Sequence, residues 1–339
     1  MQNTDWKNLP FAYRKTNCNV RYYFKNGEWS SIEITDSEYI NLHMASTCLH
    51  YGQEIFEGLK AYRGKDNRIR LFRWEENSQR LINSAEGVEM QPVPKEMFCE
   101  AILTVVKENE KYVPPYGYGA TLYIRPLLLG ISAEVGVKPS KEYLFMVFVT
   151  PVGPYFREGF APVDIMICRK FDRAAPLGTG AYKVGGNYAA SLISLKEAHE
   201  AGFGTTLFLD AKEKKYIDEA GPANFFAIKG NTYITPDSKS ILPSITNMSL
   251  MELAKDMGMK VERRPVSVEE LKDFDEVGAC GTAAVITPVR KIIDPDANKI
   301  YQFGEGNQAG PVSSRLYRKL TAIQTGDEKD KFGWITYVD

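Results

Sequence analysis

Between residues 178 and 188 the chain reads Gly-Thr-Gly-Ala-Tyr-Lys-Val-Gly-Gly-Asn-Tyr, four glycines in nine residues around one lysine. Such a stretch suits neither a regular strand nor a regular helix, and predicts an irregular seat where a flat ligand can approach the backbone. A lysine kept dry in that seat can lose its proton and act as an amine nucleophile. A solvated lysine on a glycine-rich turn fits the same residues, and spacing alone leaves both readings open. A phosphate loop does not fit, because the GxxxxGK[ST] spacing fails and Val184 follows Lys183. No GxGxxG follows a strand and no GxSxG occurs, which disfavours nucleotide-driven chemistry.

The flanking patterns predict an α+β fold. Val20–Lys25 and Glu28–Glu33 flank Asn26-Gly27, a type I′ hairpin signal. A second strand pair is expected at 58–63 and 69–72, helices at 75–86 and 95–110, and apolar strands at 120–129 and 143–149. Two prolines and two glycines in residues 150–160 predict an interdomain loop. Beyond it, strands are expected at 163–168, 205–210, 216–218, 224–228, 232–235 and 274–279. Helices are expected at 187–201, 246–257 and 312–325, and Ser267-Val-Glu-Glu270 is a capping-box start. This gives a small α/β domain over 1–149, the interdomain loop over 150–160, and a large domain over 161–339 that carries Lys183.

Charge narrows the partners. Forty-two Lys and Arg against 43 Asp and Glu leave a formal charge of −1, so no bulk field favours nucleic acid or an anionic membrane. No apolar run approaches the ~20 residues of a membrane-spanning helix. Five cysteines without a CxxC pair argue against a zinc ribbon or a disulfide framework, and three histidines leave few metal ligands, so no metal is expected. The start, MQNTDWKNLP, has no basic region followed by an apolar core, so a secretory signal is not expected and the cytoplasm is.

Other constellations invite chemistry. Tyr216-Ile-Asp-Glu219-Ala-Gly puts an acid at a strand end, suited to a cationic ring nitrogen or simply to solvent. Leu242-Pro-Ser-Ile-Thr-Asn247 precedes a helix, and Ala279-Cys-Gly-Thr-Ala-Ala284 is a small-residue turn. Both can offer backbone N–H groups to phosphate, and both also read as ordinary caps. Tyr123 and Arg125, two apart on a strand, share a face. An arginine there needs a carboxylate partner, structural or substrate.

Taken in order, these segments resemble the branched-chain amino-acid aminotransferases, pyridoxal-phosphate enzymes of fold type IV. The matching stretches are Tyr51-Gly-Gln-Glu-Ile-Phe-Glu-Gly58, Tyr123-Ile-Arg-Pro126, Lys183-Val-Gly-Gly-Asn-Tyr188, Glu219-Ala-Gly, Leu242-Pro-Ser-Ile-Thr246 and Gly281-Thr-Ala-Ala-Val-Ile-Thr-Pro-Val289. Related D-amino-acid transaminases and aminodeoxychorismate lyases share the fold but differ in the substrate-facing strand. A non-catalytic binding protein on the same fold would have no need to keep Lys183, Glu219, Tyr188 and Arg80 together.

The resemblance implies two domains with pyridoxal 5′-phosphate at their interface, held by Lys183 as a lysine aldimine. Lys183 would also shuttle the proton between Cα and C4′. Glu219 would pair with the ring nitrogen and Tyr188 with the phenolic oxygen. Arg80, with Ile245, Thr246 and Thr282, would hold the phosphate. The substrate α-carboxylate would meet the N–H groups of Thr282 and Ala283 near Tyr123. Phe11, Phe56, Tyr51, Tyr188 and Tyr155 would line an apolar side-chain pocket, closed by Val135 and Val137 of a second subunit in a homodimer. The implied reaction is ping-pong exchange of amino groups between leucine, isoleucine or valine and 2-oxoglutarate. Arg125, with tyrosines such as Tyr51, would accept the γ-carboxylate of glutamate. Pro222 departs from relatives with a hydroxyl residue there, and Ala284 and Thr287 stand where mammalian members carry a CxxC pair.

Overall fold

A computed structural model describes residues 4–155, 160–304 and 306–338. The architecture is α+β, and the chain divides into two compact units. Residues 1–155, 182–185 and 322–339 form the first, and residues 156–181 and 186–321 the second.

The first unit begins with β1 (Asn19–Lys25), which turns through Asn26 and Gly27, both at positive φ (54° and 86°), into β2 (Glu28–Trp29). Positive φ at both central residues is the type I′ geometry expected there. The second arm is shorter than expected, and the chain rejoins the other end of β1 as β3 (Glu33–Thr35). There follow α1 (Thr47–Tyr51), β4 (Glu54–Phe56), β5 (Leu59–Arg63), β6 (Ile69–Phe72), α2 (Trp74–Gly87), α3 (Lys95–Glu108), β7 (Thr121–Gly130) and β8 (Tyr143–Val152). The sheet runs β6-β5-β7-β8-β1-β2, with β4 also on β7.

Strand β7 shows how one sequence serves two faces. Leu122, Ile124 and Leu128 are buried, and with Phe145, Val147, Leu81, Phe98 and Ile102 they belong to one apolar core. The alternate residues Tyr123, Arg125 and Leu127 are half-buried on the other face, as a period of two requires. Strand β8 continues through Thr150 and Pro151, which pair with Tyr123 and Leu122, so the expected loop at 150–160 begins three residues late. Thr150 is held there because its Oγ1 accepts the N–H of Arg14 at 2.8 Å. Residues 156–159 of that expected loop lie outside the described residues.

The second unit contains β9 (Val163–Cys168), most of α4 (Gly185–Ala190), α5 (Leu192–Glu200), β10 (Thr205–Leu209), β11 (Ile217–Ala220), β12 (Ala223–Lys229) and β13 (Thr232–Pro236). After these come α6 (Ile245–Asp256), β14 (Lys260–Arg264), β15 (Glu276–Gly281), β16 (Val285–Asp294), β17 (Lys299–Gln302) and most of α7 (Pro311–Thr325). Strands β11-β10-β9-β16-β15-β12 pair in sequence, and β12 pairs back to β11, closing a six-stranded ring. Closure leaves no free edge within the ring. The single helix expected at 187–201 is broken into α4 and α5 at Ser191, whose hydroxyl donates back to the Tyr188 carbonyl at 2.8 Å. Ser267 and Glu270 do form a capping box, but it opens a 3₁₀ turn over Val268–Asp273.

Two groupings differ from a single cut near residue 155. Strand β18 (Ile335–Tyr337) pairs with β6, which carries residues 322–339 into the first unit. Tyr182–Gly185 also groups there, although the sequence assigns Lys183 to the large domain. The cause is local pairing: Phe56 N–H donates to the Lys183 carbonyl at 3.1 Å, and Ile55 and Val184 form a β-bridge.

Phe98 is fully buried and stacks on Phe145 with ring centroids 6.4 Å apart. Phe98→Ala should cost about 3–5 kcal/mol, the usual range for a fully buried aromatic. Denaturant unfolding followed by a reporter in the first unit checks this; a loss under about 1 kcal/mol would show that the core there closes around the gap.

Candidate active site

In the first unit, the seat of Lys183 is built by β4 and α2. The Lys183 N–H donates to Ser84 Oγ at 3.0 Å, and the amine Nζ lies 4.6 Å from the centre of the Phe56 ring. Lys183 keeps some accessible surface as a residue, but its amine end lies deep in the fold. Desolvation is the main cause that lowers its pKa to about 8; the charges of Arg80 and Arg125 act in the same direction, and Glu57 and Tyr123 oppose them. The neutral, nucleophilic amine therefore predominates above about pH 8 rather than above the ordinary lysine value of 10.5.

Next to it, Arg80 is paired with Glu57, which the sequence reading passed over. Glu57 is fully buried. Burial alone would push its carboxyl up, but the charges of Arg80 and Lys183 and the hydrogen bonds from Arg80 and Asn77 hold it below the usual range. Its signal was present inside the Tyr51–Gly58 motif, as an acid beside Phe56 that no exposed strand end would require. A second acid of that motif, Glu54, faces Gly185, whose N–H it accepts; an added Cβ at Gly185 would overlap the Glu54 carboxylate. Burial raises the Glu54 pKa, against the opposing effects of Gly185 and Arg125.

Arg125 and Tyr123 project together from β7, with Arg125 Nη2 donating to the Tyr123 hydroxyl at 3.2 Å. The guanidinium carbon lies 4.8 Å from the Phe56 ring centre. Its Nε is buried and makes no hydrogen bond among the described residues. Phe11 meets Tyr123 edge-on at 5.3 Å and Tyr155 edge-on at 5.2 Å. The first unit thus brings together Lys183, Phe56, Arg125, Tyr123, Phe11 and Tyr155. Gly58 makes room for this wall, since a Cβ there would strike the Tyr123 hydroxyl. Lys60, across the strand pair from Tyr123, is a second buried lysine, and burial lowers its pKa to about 8 as well.

Tyr51 and Val135 are linked to each other. The Tyr51 hydroxyl donates to the Val135 carbonyl of the same chain. Val135 and Val137 are 88% and 85% exposed.

In the second unit, Glu219 sits on β11, almost fully buried. Its Oε1 accepts the N–H of Leu242 at 2.8 Å and Asn224 Nδ2 at 3.1 Å, and its Oε2 lies 3.2 Å from Arg173 Nε. Arg173 also donates to the Gly180 carbonyl at 3.0 Å. No local pattern marks Arg173; only the fold reveals it. The same network reaches the start of α6, where Asn247 Nδ2 donates to Asn224 Oδ1 at 3.3 Å. Ser244 caps that helix by accepting the Asn247 N–H, leaving the N–H groups of Ile245 and Thr246 in its first turn. Thr282 and Ala283 lie in the half-buried turn between β15 and β16, and Val285 beyond them has φ +64°. A β-branched residue in the left-handed region is strained, and such strain clusters at binding sites. Tyr188 lies on α4, half-buried.

Comparison with known proteins identifies the family. The profile of the family Amino-transferase class IV matches residues 54–292. A branched-chain-amino-acid aminotransferase of Haemophilus influenzae is 47% identical, with both chains covered in full. The crystal structure of the Escherichia coli branched-chain amino acid aminotransferase superposes with a TM-score of 0.78 at 32% identity, over 94% of this chain and all of the other. The branched-chain amino acid aminotransferase of T.th., complexed with N-(5′-phosphopyridoxyl)-L-glutamate, gives 0.78 at 30%, over 96% of this chain and all of the other. On this family match and these identities, the chain belongs to the class IV aminotransferases, and within them to the branched-chain-amino-acid aminotransferases, enzymes of pyridoxal 5′-phosphate.

Proposed function

We propose that this chain exchanges amino groups between L-leucine, L-isoleucine or L-valine and 2-oxoglutarate, in two half-reactions on one site. The observation that carries the reading is Arg125, whose buried Nε has no hydrogen-bond partner among the described residues although the residue stands beside Tyr123 and Phe56. An aromatic wall favours a branched aliphatic side chain by about 0.8 kcal/mol per buried CH₂. It would reject glutamate unless a cation met the γ-carboxylate. A guanidinium with an unused donor beside that wall supplies the cation. The relative's complex with a phosphopyridoxyl-glutamate adduct supports the same double use.

Pyridoxal phosphate, when bound, supplies the electron-withdrawing ring that stabilises negative charge at Cα. The residues present fit it. Lys183 has a depressed pKa and a fixed backbone, Arg80 is a braced cation, and the capped start of α6 offers N–H groups to a phosphate. In this reading Lys183 would hold the cofactor and move the proton between the substrate Cα and the cofactor C4′. Glu219, held by Leu242, Asn224 and Arg173, keeps the ring nitrogen protonated, and Tyr188 hydrogen-bonds the phenolic oxygen. Arg80, Ile245, Thr246 and Thr282 bind the phosphate, while Thr282 and Ala283 orient the α-carboxylate. Tyr51, with Phe11, Phe56, Tyr188 and Tyr155, lines the side-chain pocket, and Val135 and Val137 of the second subunit close it in a homodimer. The exposure of Val135 and Val137 supports that assembly, and five free cysteines support a reducing, cytoplasmic setting.

L-Leucine, L-isoleucine and L-valine should be turned over with 2-oxoglutarate much faster than L-aspartate or D-alanine. Arg125→Leu should lower kcat/KM for glutamate by about 2–5 kcal/mol, roughly 30-fold or more, because the γ-carboxylate is left unpaired, and should change leucine little. Equal losses on both substrates would make Arg125 a scaffold residue.

Redox control should be absent. Ala284 and Thr287 have no thiol, and Cys280 is buried, with its thiol pushed up by burial and by the charge of Glu219. Little thiolate forms in such a site. Mild peroxide should leave activity largely unchanged; inactivation reversed by a thiol reductant would contradict this.

A further inference from the structure

The carboxylate of Glu57 has no task in the reading above, yet it is among the most heavily bonded acids in the first unit. Arg80 Nε donates to its Oε1 at 2.6 Å and Arg80 Nη2 to its Oε2 at 2.8 Å. Asn77 Nδ2 and the N–H of Gly58 donate to Oε2 at 2.8 and 3.1 Å. A buried carboxylate is costly unless it is paired and fully hydrogen-bonded, and this one is both. A two-point contact with a guanidinium fixes its plane as well as its position.

The side-chain donors come from one stripe of α2. Asn77 and Arg80 are three residues apart and face the same way, and Ser84, one turn on, accepts the Lys183 N–H. Glu57 therefore braces the arginine from the same strand end whose Phe56 packs on the Lys183 amine. Nothing about a fold-stabilising ion pair requires it to be buried completely or to engage the one arginine expected at the cofactor phosphate.

We propose that Glu57 is a positioning residue for the cofactor phosphate, acting through Arg80 by holding the guanidinium in the orientation that an incoming phosphate needs. This rests on the reading that Arg80 binds that phosphate. The proposal opposes the simple Coulomb expectation. Glu57→Gln adds one positive charge to the site, so charge alone predicts tighter binding of an anion, whereas loss of orientation predicts weaker binding.

The test uses the full chain stripped of cofactor and titrated with pyridoxal 5′-phosphate and, separately, with pyridoxal, which lacks the phosphate. Wild type should bind the phosphorylated form far more tightly. Glu57→Gln should lose about tenfold or more in affinity for pyridoxal 5′-phosphate, about 1.4 kcal/mol, and keep its affinity for pyridoxal within about threefold. Asn77→Ala, which removes one donor and no charge, should shift the same ratio in the same direction by less, and serves if Glu57→Gln fails to fold. Unchanged affinities, equal losses for both ligands, or tighter binding of the phosphorylated form would overturn the proposal. Equal affinity of wild type for the two ligands would instead overturn the assignment of Arg80, and the proposal with it.

Discussion

Desolvation of one amine is the condition on which the proposed chemistry depends. An ordinary lysine is charged near neutrality and cannot attack; Lys183 is brought to about 8 because its Nζ is removed from water beneath Phe56 and beside the charge of Arg80. The backbone on both sides of it is fixed first, by Ser84 on α2, by Phe56 on β4 and by the Ile55–Val184 bridge. Those contacts explain why four residues between two stretches of the second unit group with the first. Glu57 moderates the effect. Its charge opposes further loss of the Lys183 proton while it braces Arg80, so one buried acid acts on both cations.

The sheet supplies the other requirement, a wall that is apolar and polar by turns. Period-two alternation in β7 commits Leu122, Ile124 and Leu128 to the core and leaves Tyr123 and Arg125 facing outward from it. The absence of a side chain at Gly58 lets the Tyr123 hydroxyl approach, and Arg125 donates to that hydroxyl. In the second unit, buried Glu219 accepts hydrogen bonds from a backbone N–H and an amide, and Arg173 lies beside it as an ion-pair partner. Glu57 and Glu219 are thus buried against bonded donors, whereas the Nε of Arg125 is buried with no hydrogen-bond partner among the described residues.

Much of this is legible in the residues. Asn26-Gly27 marks its hairpin, Ser267 and Glu270 their capping box, and the ends of α2, α3 and α6 fall within two residues of expectation, because turn and cap chemistry is local. Strand β16 is not legible. Pro288 sits in its middle, and Arg290 and Lys291 interrupt its apolar run, yet Arg290 and Lys291 both pair with Asp164 on β9, where the register shifts between Val289 and Lys291. Strand β14, Lys-Val-Glu-Arg-Arg, hides behind charges suited to the end of a sheet. The roles of Glu57 and Arg173 depend on partners 23 and 46 residues away (80 − 57 and 219 − 173). No short-range pattern encodes pairs at that separation.

The central claim is that Lys183, and no other amine, holds the cofactor. Lys60 makes the claim a sharp one, since it too is buried with a pKa lowered to about 8. Borohydride reduction of the holoenzyme followed by peptide mapping distinguishes the two. The account predicts a single reduced pyridoxyl adduct on the peptide containing Lys183; an adduct on Lys60, or on any other lysine, would contradict it.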